Sequence, residues 1–320
     1  MLKIRHLLIV ILASIGSGLY AQQEMQLTQF MFNQLTFNPG YSGARDQICT
    51  NVLGRQQWVG FSDGEDNVNP VTYLLTVDAP IDVISSGFGL LIFQDELGFE
   101  KNLQVRLNYA YRLNIGPGKL GIGASLGLND KTIDFSKFRP IDDGDPLLSG
   151  AKESDMLMDI GFGAYYRIPD QLYVGISSNQ ILEDEYIPVS DLPVYTQKRH
   201  YYLTAGYYYP LPNPSFVLNP NILVKSDFGS AQYDINANVV YNNQYWAGVT
   251  YRASDAIGIL MGAYPFSNSL RIGYAYDVTT SALGAQGRSS GSHELFISYC
   301  FKIKITKLDT KYDQTRFFVR

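Results

Sequence analysis

From residue 46 onward the chain is written in alternation. In NLQVRLNYAYRL, residues 102–113, Leu103, Val105, Leu107, Tyr109, Tyr111 and Leu113 share one parity, and Asn102, Gln104, Arg106, Asn108 and Arg112 share the other. Successive side chains of an extended strand point to opposite faces, so this run has one apolar surface and one that carries two arginines. The same period of two returns at 120–128, 156–167, 232–241 and 270–277. It predicts fourteen strands, at 46–57, 71–79, 86–95, 100–113, 118–129, 156–167, 171–179, 199–209, 215–225, 230–241, 243–252, 256–264, 268–278 and 291–302. Most are close to the ~9 to 11 residues that a tilted strand needs to cross a bilayer.

The connections supply an independent test. Counted from the first strand, the odd ones are 58–70, 96–99, 130–155, 180–198, 226–229, 253–255 and 279–290, and every long one falls in this set. The even ones, 80–85, 114–117, 168–170, 210–214, 242 and 265–267, are all short. One short-turn end and one long-loop end is the asymmetry of an outer-membrane β-barrel, with turns toward the periplasm and loops outside. A soluble sandwich or propeller would place many Lys and Glu on its exposed faces, whereas these polar faces carry Gly, Asn, Tyr and scattered Arg. Clustered tyrosines at strand ends, as at 207–209, suit an interfacial girdle, although a packed core uses them too. Turning strand 102–113 over would cost roughly 2–4 kcal/mol for each arginine near the midplane, so Arg106 and Arg112 are expected inside.

A bilayer offers no water to a free sheet edge, so the first strand must pair with the last. Parity then places Cys49 and Cys300 on the inner face of neighbouring strands. There they either form a disulfide in the oxidising periplasm or stand as two small free side chains.

Composition refines this picture. Residues 1–21 read as a cleaved signal peptide: a basic MLKIRH, an apolar stretch and Ala21 before polar residues. The apolar stretch is short of the ~20 residues of a membrane-spanning helix, and no later segment reaches that length. Charged residues make up 17%, below the ~25% of soluble domains, while Gly, Tyr and Phe are plentiful. A mean hydropathy of −0.08 shows polar and apolar positions finely mixed, as two-faced strands require. A net charge of −5 without a basic cluster in the mature body excludes nucleic acid as a partner.

Two cysteines exclude a disulfide scaffold and a four-cysteine zinc site. His200 and His293, the histidines outside the signal, are far apart and lack ligand spacing, and no nucleophile signature accompanies them. The expectation is a non-enzyme with no cofactor and no metal. DDGD at 142–145 and EDE at 183–185 could offer oxygens to Ca²⁺ but lack the EF-hand order, so solvated acidic loops are the default. GPGKLGIG at 116–123 reads as a turn leading into a glycine-faced strand.

Two stretches carry more than pattern. QFMFNQLTFNPGYSG at 29–43 and RQQWVGF at 55–61 resemble the start of the PorP/SprF family of type IX secretion system membrane proteins, through Asn33, Asn38, Pro39, Tyr41, Gly43, Arg55 and Trp58. Phe30, Gly40 and Ser42 are mild departures. The likeness continues in YAYDV at 274–278, in SGSHELFISYCF at 290–301 and in an Arg-Phe ending, here Arg316, Phe317 and Phe318. Proline disfavours helix in its predecessor, so Asn38 is expected extended, with Gly40 and Gly43 permitting tight backbone. The segment 22–45 is then expected to pack beneath or into the barrel as a plug or rim, or to hang as a loose periplasmic leader. Trp58 would anchor the outer rim or line the first loop.

The organisation expected is thus a signal at 1–21, that segment at 22–45, a single all-β transmembrane antiparallel barrel at 46–302 and a periplasmic tail at 303–320. The resemblance implies a non-enzymatic outer-membrane component of the type IX system in Bacteroidota-type Gram-negative cells. Its partners would be membrane lipid, secreted surface proteins held by loops 130–155 and 180–198, including gliding adhesins, and periplasmic machinery met by the tail. The competing reading is a passive porin or small-solute transporter.

Overall fold

The structure is a computed structural model and describes residues 25–63, 66–138, 150–187, 195–266, 269–285 and 288–302. Fourteen long strands make up its wall: β1 Ile48–Gln56, β2 Val71–Ile81, β3 Ser86–Leu97, β4 Glu100–Ile115, β5 Gly118–Asp134, β6 Lys152–Ile168, β7 Leu172–Asn179, β8 His200–Tyr207, β9 Phe216–Ser226, β10 Ala231–Tyr241, β11 Tyr245–Arg252, β12 Ala256–Ala263, β13 Leu270–Thr279 and β14 Ser292–Phe301. Each pairs antiparallel with the next, and β1 pairs with β14 from Ile48↔Phe301 to Gln56↔His293. The ring is closed, which leaves no backbone edge facing lipid along the paired lengths.

The alternation of the sequence becomes the two faces of the wall. On β4, Leu107 is 61% exposed while its neighbour Arg106 is 2% exposed. Val52, Ile122, Leu126, Phe162, Ile235, Ile259 and Leu295 also look outward. The inner face collects Asn51, Gln104, Asn108, Asp159, Asn236, Asp277 and Glu294, all buried. Tyr207, Tyr209, Tyr241, Tyr245 and Tyr299 stand exposed near one rim, the turn end, where the short connections lie.

Strand lengths are uneven. β5 and β6 each span 17 residues, whereas β7 and β8 span 8. The connection expected at 130–155 therefore contracts to 135–151. Past Asn129 the two strands stay paired because their inner residues find partners of their own. Lys131 bonds Glu100 at 2.7 Å, and Ile133, Leu157 and Tyr186 form a small buried cluster. Two other loop-end connections contain short hairpins, Ser62–Asp63 with Asp66–Asn67 and Glu185–Tyr186 with Tyr195–Thr196.

Ahead of β1 the chain abandons period two for short helical turns at Phe30–Phe32, Gln34–Phe37 and Pro39–Tyr41. Every residue from Leu27 to Tyr41 is buried. This stretch begins beside Lys225 and Gln232, at the loop end, and reaches Arg167 at the turn end, so it runs the length of the lumen.

Candidate functional site

The occupied lumen is the feature with the most chemistry in it. At the loop end the N-terminal segment is gripped by ions. The backbone N–H groups of Thr28 and Gln29 donate to the two oxygens of Glu294, each at 2.8 Å. The Thr28 hydroxyl donates to Asp277 at 2.6 Å and accepts from Arg55 at 2.8 Å. Arg55 in turn bridges Asp277 at 2.8 Å and Glu294 at 3.2 Å, and Arg252 joins Asp234 at 3.3 Å and Asp277 at 3.6 Å. All five charged side chains are essentially buried, so the grip survives only as a whole: removing one member leaves an uncompensated charge. Register places Arg55 directly across from Glu294 on the β1–β14 seam.

Below the ions lies an apolar layer. The Phe32 ring lies 5.6 Å from that of Phe296 and 4.9 Å, edge-on, from that of Trp246. The Arg271 guanidinium covers Phe32 at 4.5 Å. Phe37 meets Tyr202 at 5.6 Å, and its carbonyl accepts from Ser177 at 2.8 Å and Asn179 at 3.1 Å. Arg106, held by Asp159 at 2.9 Å, donates to the Thr36 carbonyl.

At the turn end the grip is steric. A Cβ placed on Gly121 would collide with the Gly40 carbonyl oxygen, one on Gly163 with the Asn38 side chain, and one on Gly123 would lie 2.5 Å from the Gly40 nitrogen. The glycine face of β5 and β6 is thus the seat that lets Asn38, Pro39 and Gly40 touch the wall. Asn38 is extended (φ −134°), as the following proline requires, and its side-chain N–H reaches the carbonyls of Ala164 at 2.9 Å and Ile176 at 3.2 Å. Its amide oxygen accepts from Gly40, closing the turn.

The sequence-derived residues divide as follows. Asn33, Asn38, Pro39 and Tyr41 are buried in the segment, and Arg55 is buried in the wall facing it. The Tyr41 ring stands edge-on to Tyr165 at 5.1 Å. Gly43 takes φ 70° against Pro80, a conformation that favours glycine. Trp58 lies apart from these, on the loop-end connection, with its backbone N–H donating to the Ser292 hydroxyl and its ring 6.3 Å from that of Phe61. Cys49 and Cys300 are direct register partners on the inner face, Cα atoms 4.1 Å apart and sulfurs joined. Residues 142–145, Arg316, Phe317 and Phe318 lie outside the described residues.

Thr28, Asp277, Glu294, Arg252 and the seating glycines were not singled out from sequence. Parity does put Asp277 and Glu294 on the inner face, and two isolated acids there signal a buried cation. At the turn-end mouth, partial burial alone would raise the Asp46 pKa, but bonds from Arg112 and Lys119 outweigh it and hold the carboxyl below its ordinary value. On the loop side, burial pushes Tyr186 up to about 12, with Asp155 and Glu153 adding to it. Among the described residues no three His, Cys, Asp or Glu side chains converge on a metal position.

Similar solved structures include Acinetobacter baumannii Omp33, 9% identical over 80% of this chain and 99% of that one, with a TM-score of 0.45. The toluene transporter TbuX of Ralstonia pickettii is 10% identical over 83% of this chain and 92% of its own, TM-score 0.49. The TodX deltaS2S3 mutant monoaromatic hydrocarbon channel is 11% identical over 80% and 90%, TM-score 0.46. No curated protein matches the chain. The family model for type IX secretion system membrane protein PorP/SprF matches residues 19–299. The chain belongs to the PorP/SprF family of type IX secretion system membrane proteins.

Proposed function

We propose that this protein is a non-enzymatic outer-membrane component of the type IX secretion system that supports export or surface attachment of partner proteins, including adhesins in gliding cells. The signal 1–21 is removed on the way, the long connections face outside, and the tail from 303 meets periplasmic machinery. The observation that carries the reading is the occupied lumen. Residues 27–41 fill the barrel and are fixed to its wall by ions above, rings in the middle and backbone contact below. A passive porin needs a water-filled path, and here that path would require the segment to leave. The closed barrel instead serves as a rigid platform whose loops hold a partner.

Single-channel recording on the full chain in planar bilayers tests this. Electrical silence, together with loss of a surface protein from cells lacking the gene, is expected. A steady open current with an unchanged surface proteome would establish the small-solute reading instead.

A further inference from the structure

The lumen segment is pinned in one direction at both of its ends. The Lys225 ammonium donates to the Met25 carbonyl at 3.3 Å and to the Gln26 side-chain oxygen at 2.9 Å. Gln26 and Gln232 exchange side-chain amide bonds at 3.0 and 2.9 Å. Lys225 and Gln232 are register partners one step from the tips of β9 and β10, at Ser226↔Ala231, so Gln26 sits at the loop-end mouth. At the far end Arg167, next to last in β6, donates to the Ala44 carbonyl at 2.9 Å, and Lys119, second in β5, reaches Asp46 at 2.9 Å. The chain therefore enters the bore at the loop end and leaves it at the turn end before β1 begins. Phe301, the last residue of β14, lies opposite Ile48 at that same turn end. Met25 and Phe301 thus fall on opposite faces of the membrane. Removal of 1–21 leaves residues 22–24 ahead of Met25. At ~3.5 Å per residue they reach about 11 Å, well short of the ~30 Å hydrocarbon layer, and the bore beneath them is filled by the buried residues 27–41.

We propose that the amino-terminal end of the mature chain is displayed on the outer surface, inside the ring of loops, and forms the centre of the surface on which a folded domain of an exported protein docks. Covalent reach keeps this end at the mouth where Lys225 and Gln232 hold Gln26. Fourteen strands ~4.8 Å apart and tilted ~40° close a ring of roughly 14 Å radius. A small folded domain is ~30 Å across, the width of that ring, so one that rests on loops of both sides covers whatever emerges between them. This rests on the secretion reading above, which supplies the outward loop end and the removal of 1–21.

The test is cysteine labelling of the full chain on intact cells with a membrane-impermeant fluorescent maleimide. Cys49 and Cys300 are joined, so the natural chain supplies the blank. Three single variants are compared: Gln23→Cys, Phe228→Cys in the exposed β9–β10 connection, and Val83→Cys in the exposed turn that follows β2. Gln23→Cys and Phe228→Cys are expected to label on intact cells at least tenfold more strongly than Val83→Cys, which should react only once the outer membrane is permeabilised. Labelling of Phe228→Cys alone on intact cells overturns the proposal and spares the orientation. Labelling of Val83→Cys alone inverts the orientation and sinks the secretion reading with it. Glu24→Cys replaces Gln23→Cys if that variant loses the unheated electrophoretic mobility of the folded barrel. Docking is read on the same cells with a maleimide that carries a long polyethylene glycol. Treated Gln23→Cys cells should lose the surface protein that gene deletion removes, and treated cells of the natural chain should keep it. Full retention on labelled Gln23→Cys cells overturns the docking surface, whereas retention after gene deletion sinks the secretion reading itself.

Discussion

The two ends of the lumen hold the same segment by opposite means. At the loop end, Thr28 and Gln29 hang from a buried network of two arginines and three carboxylates. At the turn end, Asn38 to Gly40 lie against glycines with hardly an atom to spare. The first grip is long-ranged and strong but demands every partner. The second gains little from any single contact and depends on what is missing from the wall. A barrel that must keep its lumen filled is therefore vulnerable to charge at one end and to volume at the other.

That contrast can be broken most sharply by volume. Gly121→Val together with Gly163→Val puts branched side chains where the backbone of residues 38–40 runs, and no rotamer relieves both. The segment is expected to be displaced, seen as new protease cleavage within residues 27–41 and as channel current; a protected, silent variant would refute the steric account. Next comes charge. Glu294→Ala strands Arg55 with Asp277 and frees two backbone amides, at a cost of about 3–5 kcal/mol read as a lower thermal midpoint in detergent. Replacing Arg55 and Glu294 together by Met and Leu should cost less than Glu294→Ala alone, and a loss as large as the sum of the two single-variant losses would show that the ions act independently. Asn38→Ala removes bonds to Ala164 and Ile176 and is expected to cost about 1–3 kcal/mol in the same assay.

Cys49→Ser is expected to leave the seam intact, since β1 and β14 pair over nine positions. In the purified natural chain, thiol titration without reductant should find neither Cys49 nor Cys300 free; two titrating thiols would end the proposal of a bond. The smallest effect belongs to Asp46. Its carboxyl is held below the ordinary value by Arg112 and Lys119, so its contribution is present above the unfolded carboxylate range near pH 4 and is lost as pH falls through the depressed value. The side chain is well exposed, so Asp46→Asn should shift the acid limb of stability only slightly, and a large shift would place more of the turn-end grip on charge.

How much was legible follows from the same contrast. The wall could be read because lipid and lumen sort side chains with a period of two, and one slip would invert Leu107 and Arg106. Closure then followed from the bilayer, and with it the facing positions of Cys49 and Cys300. The contents of the lumen were opaque. Which inner residues meet depends on strand stagger and on a segment without periodicity, so the pairing of Thr28 with Asp277, 249 positions later, has no local signal. The glycines at 121, 123 and 163 were visible as a pattern, but a glycine does not announce what lies against it. The extension of β5 and β6 was missed because charged residues such as Lys131 look like loop until Glu100 is seen across from them.

One further consequence concerns assembly. Met25 lies at the rim opposite the start of β1, so the chain traverses the interior before laying down its first strand. A finished ring of fourteen strands has no side door, and threading a stretch bearing Phe30, Phe32 and Phe37 end-on through so narrow a bore would be slow. The wall is therefore built around its own leader, and joining the first strand to the last is the act that imprisons it.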